Sequence, residues 1–214
     1  MPHCALDFVV TVSAALLILF ATAQSSEQAD DVEIRTSTTA TRELQGQDQL
    51  RRLLRDYPLK PYLFTKEVVI QSGVIPHSHP VLTLNTRYLD NDIAQLATFL
   101  HEQFHWFFDE HVGDNVIDAA VAELKTIFPN APDSPPEGAR GSRSTYMHLM
   151  VCTMEFEALA SLVGRDRARD QLSEWEHYKW VYRTVLKDTQ PIIDVMTNSR
   201  IPFVTPPQAG SNRR

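Results

Sequence analysis

Apolar residues recur along this chain at two spacings, and the changes between them mark out its elements. Leu50, Leu53 and Leu54 fall at helical spacing within residues 44–56, a run stopped by Tyr57-Pro58. Residues 62–71 (YLFTKEVVIQ) and 81–86 (VLTLNT) are β-rich and predict two strands, with Ser72-Gly73 as a turn after the first. Helical spacing then returns. Ile93, Ala97, Leu100, Phe104 and Phe108 form a stripe, with Asn91 or Asp92 placed to cap its start and Gly113 to follow its end near His111. Val116, Ile117, Ala120, Val121, Leu124 and Ile127 predict a helix over 114–128. A Pro/Gly loop over 129–143 precedes a strongly apolar helix over 144–163 and another over 166–188. Pro191 opens a short last helix, and no segment repeats another.

The two ends differ from this middle. Residues 8–23 are apolar and free of charge, too short to span a bilayer, and they close on Ala21-Thr22-Ala23, the small-x-small pattern that signal peptidase cleaves. Residues 1–23 are thus read as an export signal, although Asp7 stands where a basic residue is usual; an uncleaved membrane anchor is the competing reading. Residues 24–43, polar and Ser/Thr-rich, read as a disordered spacer, and 204–214 as a disordered tail. Residues 44–203 remain as one folded domain. At 43% apolar and 22% charged the composition is globular, and a net charge of −7 without a basic stripe argues against nucleic acid as a partner. Of the two cysteines, Cys4 falls in the signal, so Cys152 is left without a partner and reads as a small core residue.

The densest chemistry is His101-Glu102-Gln103-Phe104-His105, set in the predicted helix over 92–111. Histidines four apart on a helix lie about 40° from each other, so both imidazoles can reach one metal ion. Glu102 falls to the side of that ion, where a carboxylate can take a proton from water. No other charge or proline interrupts Thr98 to Phe107, as burial of such a helix requires.

A hydrolytic zinc centre wants three protein ligands and one open position. His111 follows without the glycine turn that a third histidine would need, so a glutamate from a later helix is the alternative. On the 144–163 helix, Glu155 falls inside the apolar arc with Val151, Cys152 and Leu159, whereas Glu157 falls on the more polar side with Thr153 and Ser161. A carboxylate on an apolar face is costly unless paired or metal-bound, which selects Glu155. His148 shares that face, as a satisfied core histidine, a donor to an anionic transition state, or a group orienting a ligand. Tyr178 and Tyr182, four apart on the next helix, could also stabilise an anion or simply pack as core, while His177 faces solvent. His77 and His79 alternate in an extended segment and could bind metal, but flanking prolines favour a rigid entry to the next strand.

With this motif, the downstream helical Glu155 and the strand before the motif helix, the chain resembles the gluzincin type of zincin metallopeptidases. The Thr98–Trp106 and Tyr146–Leu159 stretches also look like those of a group of small exported bacterial proteins. The resemblance covers roughly 62–188. It implies an α+β, zincin-like fold, mostly helical, with a small sheet whose edge strand precedes the motif helix. It further implies one Zn²⁺ held by His101, His105 and Glu155, with Glu102 as general base and His148, Tyr178 or Tyr182 as anion stabiliser. The expected activity is hydrolysis of a peptide or protein substrate, which such enzymes commonly lay along an edge strand, here 81–86. The membrane would be met only through an uncleaved signal. The rival reading is a non-catalytic zinc-binding or interaction protein that keeps the fold, for which Glu102 has no use.

Overall fold

The computed structural model describes residues 31–203; the signal, the first part of the spacer and the tail lie outside them. Three parallel strands run side by side in the order β1 (Glu33–Thr36), β2 (Glu67–Ile70), β3 (Leu82–Leu84). The 16-residue helix α1 (Thr41–Asp56) makes the crossover between the first two, as parallel pairing demands. Ile34 pairs with Val68 and Val68 with Leu82, so one face of the sheet presents a row of buried aliphatic side chains.

Strand β1 corrects the reading of 24–43 as a disordered spacer. Val32 and Ile34 alternate with Glu33 and Arg35, and burial of the two aliphatic side chains recruits this short segment to the sheet. Glu43 fixes the junction. Its carboxylate, 2% exposed, accepts from Thr38 N at 2.6 Å, Thr38 Oγ1 at 2.9 Å and Ser72 N at 2.9 Å.

The helical layer follows as α2 (Asp92–His111), α3 (Asp114–Ile127), α4 (Ser142–Val163), α5 (Arg165–Ser173), α6 (Lys179–Lys187) and α7 (Thr189–Asn198). The mostly helical fold, with a small sheet whose edge strand β3 precedes α2, is the one expected. Helix α4 packs against α2, α3, α5, α6 and α7 and is the axis of the layer. Among the described residues no helix is long and apolar enough to cross a membrane.

Helix α2 is the most constrained element. Asn91 caps it by accepting from Ala94 N at 3.0 Å, and Arg52 grips Asp92 at 2.6 and 2.8 Å, tying its first turn to α1. Leu96, Phe99, Leu100, Phe104 and Phe108 are fully buried, each worth about 1.5–3 kcal/mol. Gln103, inside the motif, is fully buried as well. It accepts from Phe64 N and Thr65 N at 2.8 and 2.9 Å and donates to Thr65 O at 2.9 Å, which clamps the segment before β2 onto the helix.

The helix expected over 166–188 is two helices, α5 and α6, and Tyr178 is not inside either but caps the second, in the left-handed region at φ 49°. Between them Trp175 turns inward, 8% exposed, against Tyr88. The first N–H groups of α6 are taken by the 129–143 loop, Lys179 N by Pro136 O at 2.9 Å and Trp180 N by Glu137 O at 3.0 Å. Tertiary hydrogen bonds thus start a new helix where propensity alone would have continued the old one.

The hydrogen bonds from Ser72 and Thr38 hold the Glu43 carboxyl below its ordinary value of 4.5 against the pull of burial. Because the folded value is the lower one, its contribution is complete above pH ~4.5 and is lost as pH falls through the folded value. Glu43→Gln should be less stable than wild type at neutral pH, with the gap closing in acid. Denaturation midpoints across pH 2–7 test this, and parallel profiles for the two proteins would reject it.

Candidate metal centre

Helices α2, α4 and α6 converge on one cluster. His101 is 7% exposed, Glu102 6%, His148 6% and Glu155 1%, so every charge here is negotiated away from bulk water. One turn separates His101 from His105 on α2, and their Nε2 atoms face each other at 3.2 Å. The other nitrogen of His101, Nδ1, donates to Glu155 Oε2 at 2.9 Å, and the Tyr182 hydroxyl donates to the same oxygen at 3.0 Å. Cys152, one turn before Glu155 and fully buried, places Sγ 4.0 Å from that Nδ1. Cys152 therefore belongs to the cluster as well as to the core; only its position on the Glu155 face of the helix could have signalled this.

His148 Nδ1 lies 2.7 Å from Ser144 O; a carbonyl only accepts, so Nδ1 carries the proton and Nε2 is left free. Two groups of potential ligand atoms result, each with all atoms within 4.8 Å of one another: those of His101, His105 and His148, and those of His101, Cys152 and Glu155. Glu155 thus meets the cluster on the Nδ1 side of His101. Glu157 is absent from it, since both its oxygens are engaged by Arg165, at 2.8 and 3.1 Å.

The two tyrosines, equivalent in the sequence reading, are not equivalent in space. Tyr182 is buried beneath the cluster with its hydroxyl committed to Glu155, whereas Tyr178 is half-buried over the imidazoles, 4.3 Å from the His148 ring and 6.1 Å from that of His101. His177 stays exposed at the rim. His77 and His79 join neither group of ligand atoms. His79 stacks on Trp106 at 4.1 Å and sets Nδ1 3.3 Å from Asp109, while His77 bridges to Thr83.

That bridge corrects a second expectation. Parallel pairing of β2 and β3 obliges residues 71–81 to travel back along the sheet, and on the way His77 exchanges both backbone hydrogen bonds with Thr83, at 3.1 and 2.8 Å. The outer edge of β3 is closed at its middle residue by the chain itself, so a substrate cannot pair there without displacing that segment.

Electrostatics follow the same geometry. Burial opposes charge on His101, yet the contacts with Cys152 and Glu155 prevail and raise it well above the usual histidine value. Burial together with the nearby His101 pulls His105 well down and His148 to about 3, leaving both neutral with lone pairs to offer. Burial raises the Glu102 carboxyl, offset in part by His101 and His77. None of the cluster's hydrogen bonds described above uses the Glu102 carboxylate.

No family model, curated protein or solved structure matches the chain. The class rests on the site itself: a His101-Glu102-x-x-His105 motif on α2 with Glu155 nearby, consistent with a gluzincin-like centre and supporting an active site of the zinc-dependent hydrolase, metallopeptidase type. The nitrogen, oxygen and sulfur donors gathered here are geometrically consistent with a single zinc site.

The purified chain should bind close to one zinc, and His101→Ala or His105→Ala should lose it. Metal at 100 times its Kd stabilises a fold by about 2.7 kcal/mol, so a chelator should lower the melting temperature of wild type and leave both variants unmoved. Elemental analysis with calorimetry checks this; equal zinc in wild type and His105→Ala would refute the assignment.

Proposed function

We propose that this chain is a zinc-dependent peptidase that cleaves peptide or protein substrates after export, the apolar run over 8–23 serving as its signal. The observation that carries the activity is Glu102: a buried carboxylate beside converging imidazoles and spent on none of their hydrogen bonds. A site kept only for stability has no work for such a group.

The residues fit the metal. The Nδ1 hydrogens of His101 and His148 are given to Glu155 and to Ser144 O, and ligand atoms of His101, His105 and His148 lie within 4.8 Å of one another. In this arrangement a cation would replace the proton shared between Nε2 of His101 and of His105. Zinc held there supplies Lewis acidity, which polarises a carbonyl and makes water a stronger acid. Glu102 accepts the proton of the attacking water at a carboxylate oxygen and returns it to the leaving amide nitrogen. Its raised pKa suits that double duty, because a base nearer neutrality gives the proton back more readily. Burial also raises the Tyr178 phenol, which keeps its proton at neutral pH and serves as a hydrogen-bond donor to the developing oxyanion.

Glu102→Gln keeps shape and hydrogen bonding but cannot accept the proton. It should retain zinc and the native melting profile while hydrolysis of a peptide library falls by about 10²–10⁴. Loss of zinc in this variant would make Glu102 structural. Full zinc with no hydrolysis even in wild type would favour the non-catalytic zinc-binding protein.

A further inference from the structure

Zinc in a hydrolase needs a third protein ligand, and His148, Glu155 and Cys152 stand near the His101–His105 pair. We propose that His148, through Nε2, is that ligand, and that Glu155 acts one step behind, on Nδ1 of His101, where Tyr182 holds it. The proposal deepens the zinc-hydrolase reading and rests on it.

The two nitrogens of an imidazole leave the ring on different sides. His101 turns Nε2 toward His105 at 3.2 Å and Nδ1 toward Glu155 at 2.9 Å. An ion shared by the two motif histidines lies on the Nε2 side, and the Glu155 carboxylate lies on the other. The ligand-atom groups show the same division. His148 falls within 4.8 Å of both motif histidines, whereas Glu155 groups with His101 and Cys152 and not with His105. Ligands on one zinc at 2.0–2.2 Å sit no more than about 4.4 Å apart, so small side-chain shifts close the first set around an ion. A set of His101, His105 and Glu155 does not close in this way, although Oε1 of Glu155 is buried without a hydrogen-bond partner.

His148 is also prepared for the task. Its ring lies 5.0 Å from that of His105 and 5.6 Å from that of His101, and its Nδ1 hydrogen is fixed on Ser144 O. That bond selects the tautomer with its lone pair on Nε2, the usual arrangement behind a metal-bound histidine. Glu155 does for His101 what the Ser144 carbonyl does for His148: it fixes the ring and makes the far nitrogen more basic. The Tyr182 hydroxyl in turn fixes the carboxylate at 3.0 Å.

The two roles predict different losses. Removing a ligand abolishes tight binding, whereas removing a partner behind a ligand weakens it by about 10–100-fold. In the full chain, zinc affinity is measured by chelator competition for wild type, His105→Ala, His148→Ala, Glu155→Gln and Tyr182→Phe, each with its circular dichroism spectrum. His148→Ala should fall with His105→Ala. Glu155→Gln should still fill to one zinc with affinity about 10–100-fold lower, and Tyr182→Phe should weaken binding less than that. X-ray absorption on wild-type zinc protein, which does not depend on any variant folding, should count three imidazoles. Two imidazoles with a carboxylate, or any sulfur scattering from Cys152, would overturn the assignment while leaving the hydrolase reading intact. A wild-type chain without zinc would overturn both.

Discussion

A carboxylate taken out of water must be met by partners, and Glu155, on the longest helix among the described residues, is almost wholly buried. Its answer is one bond from α2 and one from α6, from His101 and Tyr182 to the same oxygen. Those two bonds oblige three helices to meet at one point and in one rotation. Slide α4 by a residue and the carboxylate turns by about 100°, stranded against apolar neighbours at a cost of several kcal/mol. The aromatic and aliphatic core supplies most of the favourable energy and would tolerate many near alternatives. The polar knot selects among them.

Function and stability therefore share residues here. Gln103 and Phe104, the unnamed positions of the motif, are spent on holding the helix, one by clamping the segment ahead of β2 and the other by filling the core. Trp106, just past the motif, reaches out to Ser78 O at 2.8 Å and stacks under His79, which secures the return segment against the helix. The chemistry is left to His101, Glu102 and His105, of which His101 also carries the bond to Glu155 that ties α2 to α4.

Much of this was legible in the residues. The period of Ile93 to Phe108 and the cap at Asn91 placed α2 within a residue, and the position of Glu155 on the apolar arc separated it from Glu157, which the structure shows paired with Arg165. What escaped was non-local. Val32 and Ile34 are too few to announce a strand, and only pairing with β2 makes one of them. Nothing near Tyr178 warns of a helix break, because the break is made by carbonyls some forty residues earlier in the chain. The closure of β3 by His77 depends on strand direction, which alternation alone does not reveal.

Helix α6 is nine residues long, shorter than the 12–15 or so that hold together alone in water, and no side chain caps it. Its first turn is borrowed from Pro136 and Glu137, on the Pro/Gly loop over 129–143, of a length that in the sequence reads as functional or mobile. The loop is in effect a lever whose short arm is Tyr178. Adding or removing a residue there would re-aim the phenol, whereas His101 and His105 are carried by α2. Such a loop can reshape the roof over the cluster without changing a residue of the motif helix beneath it.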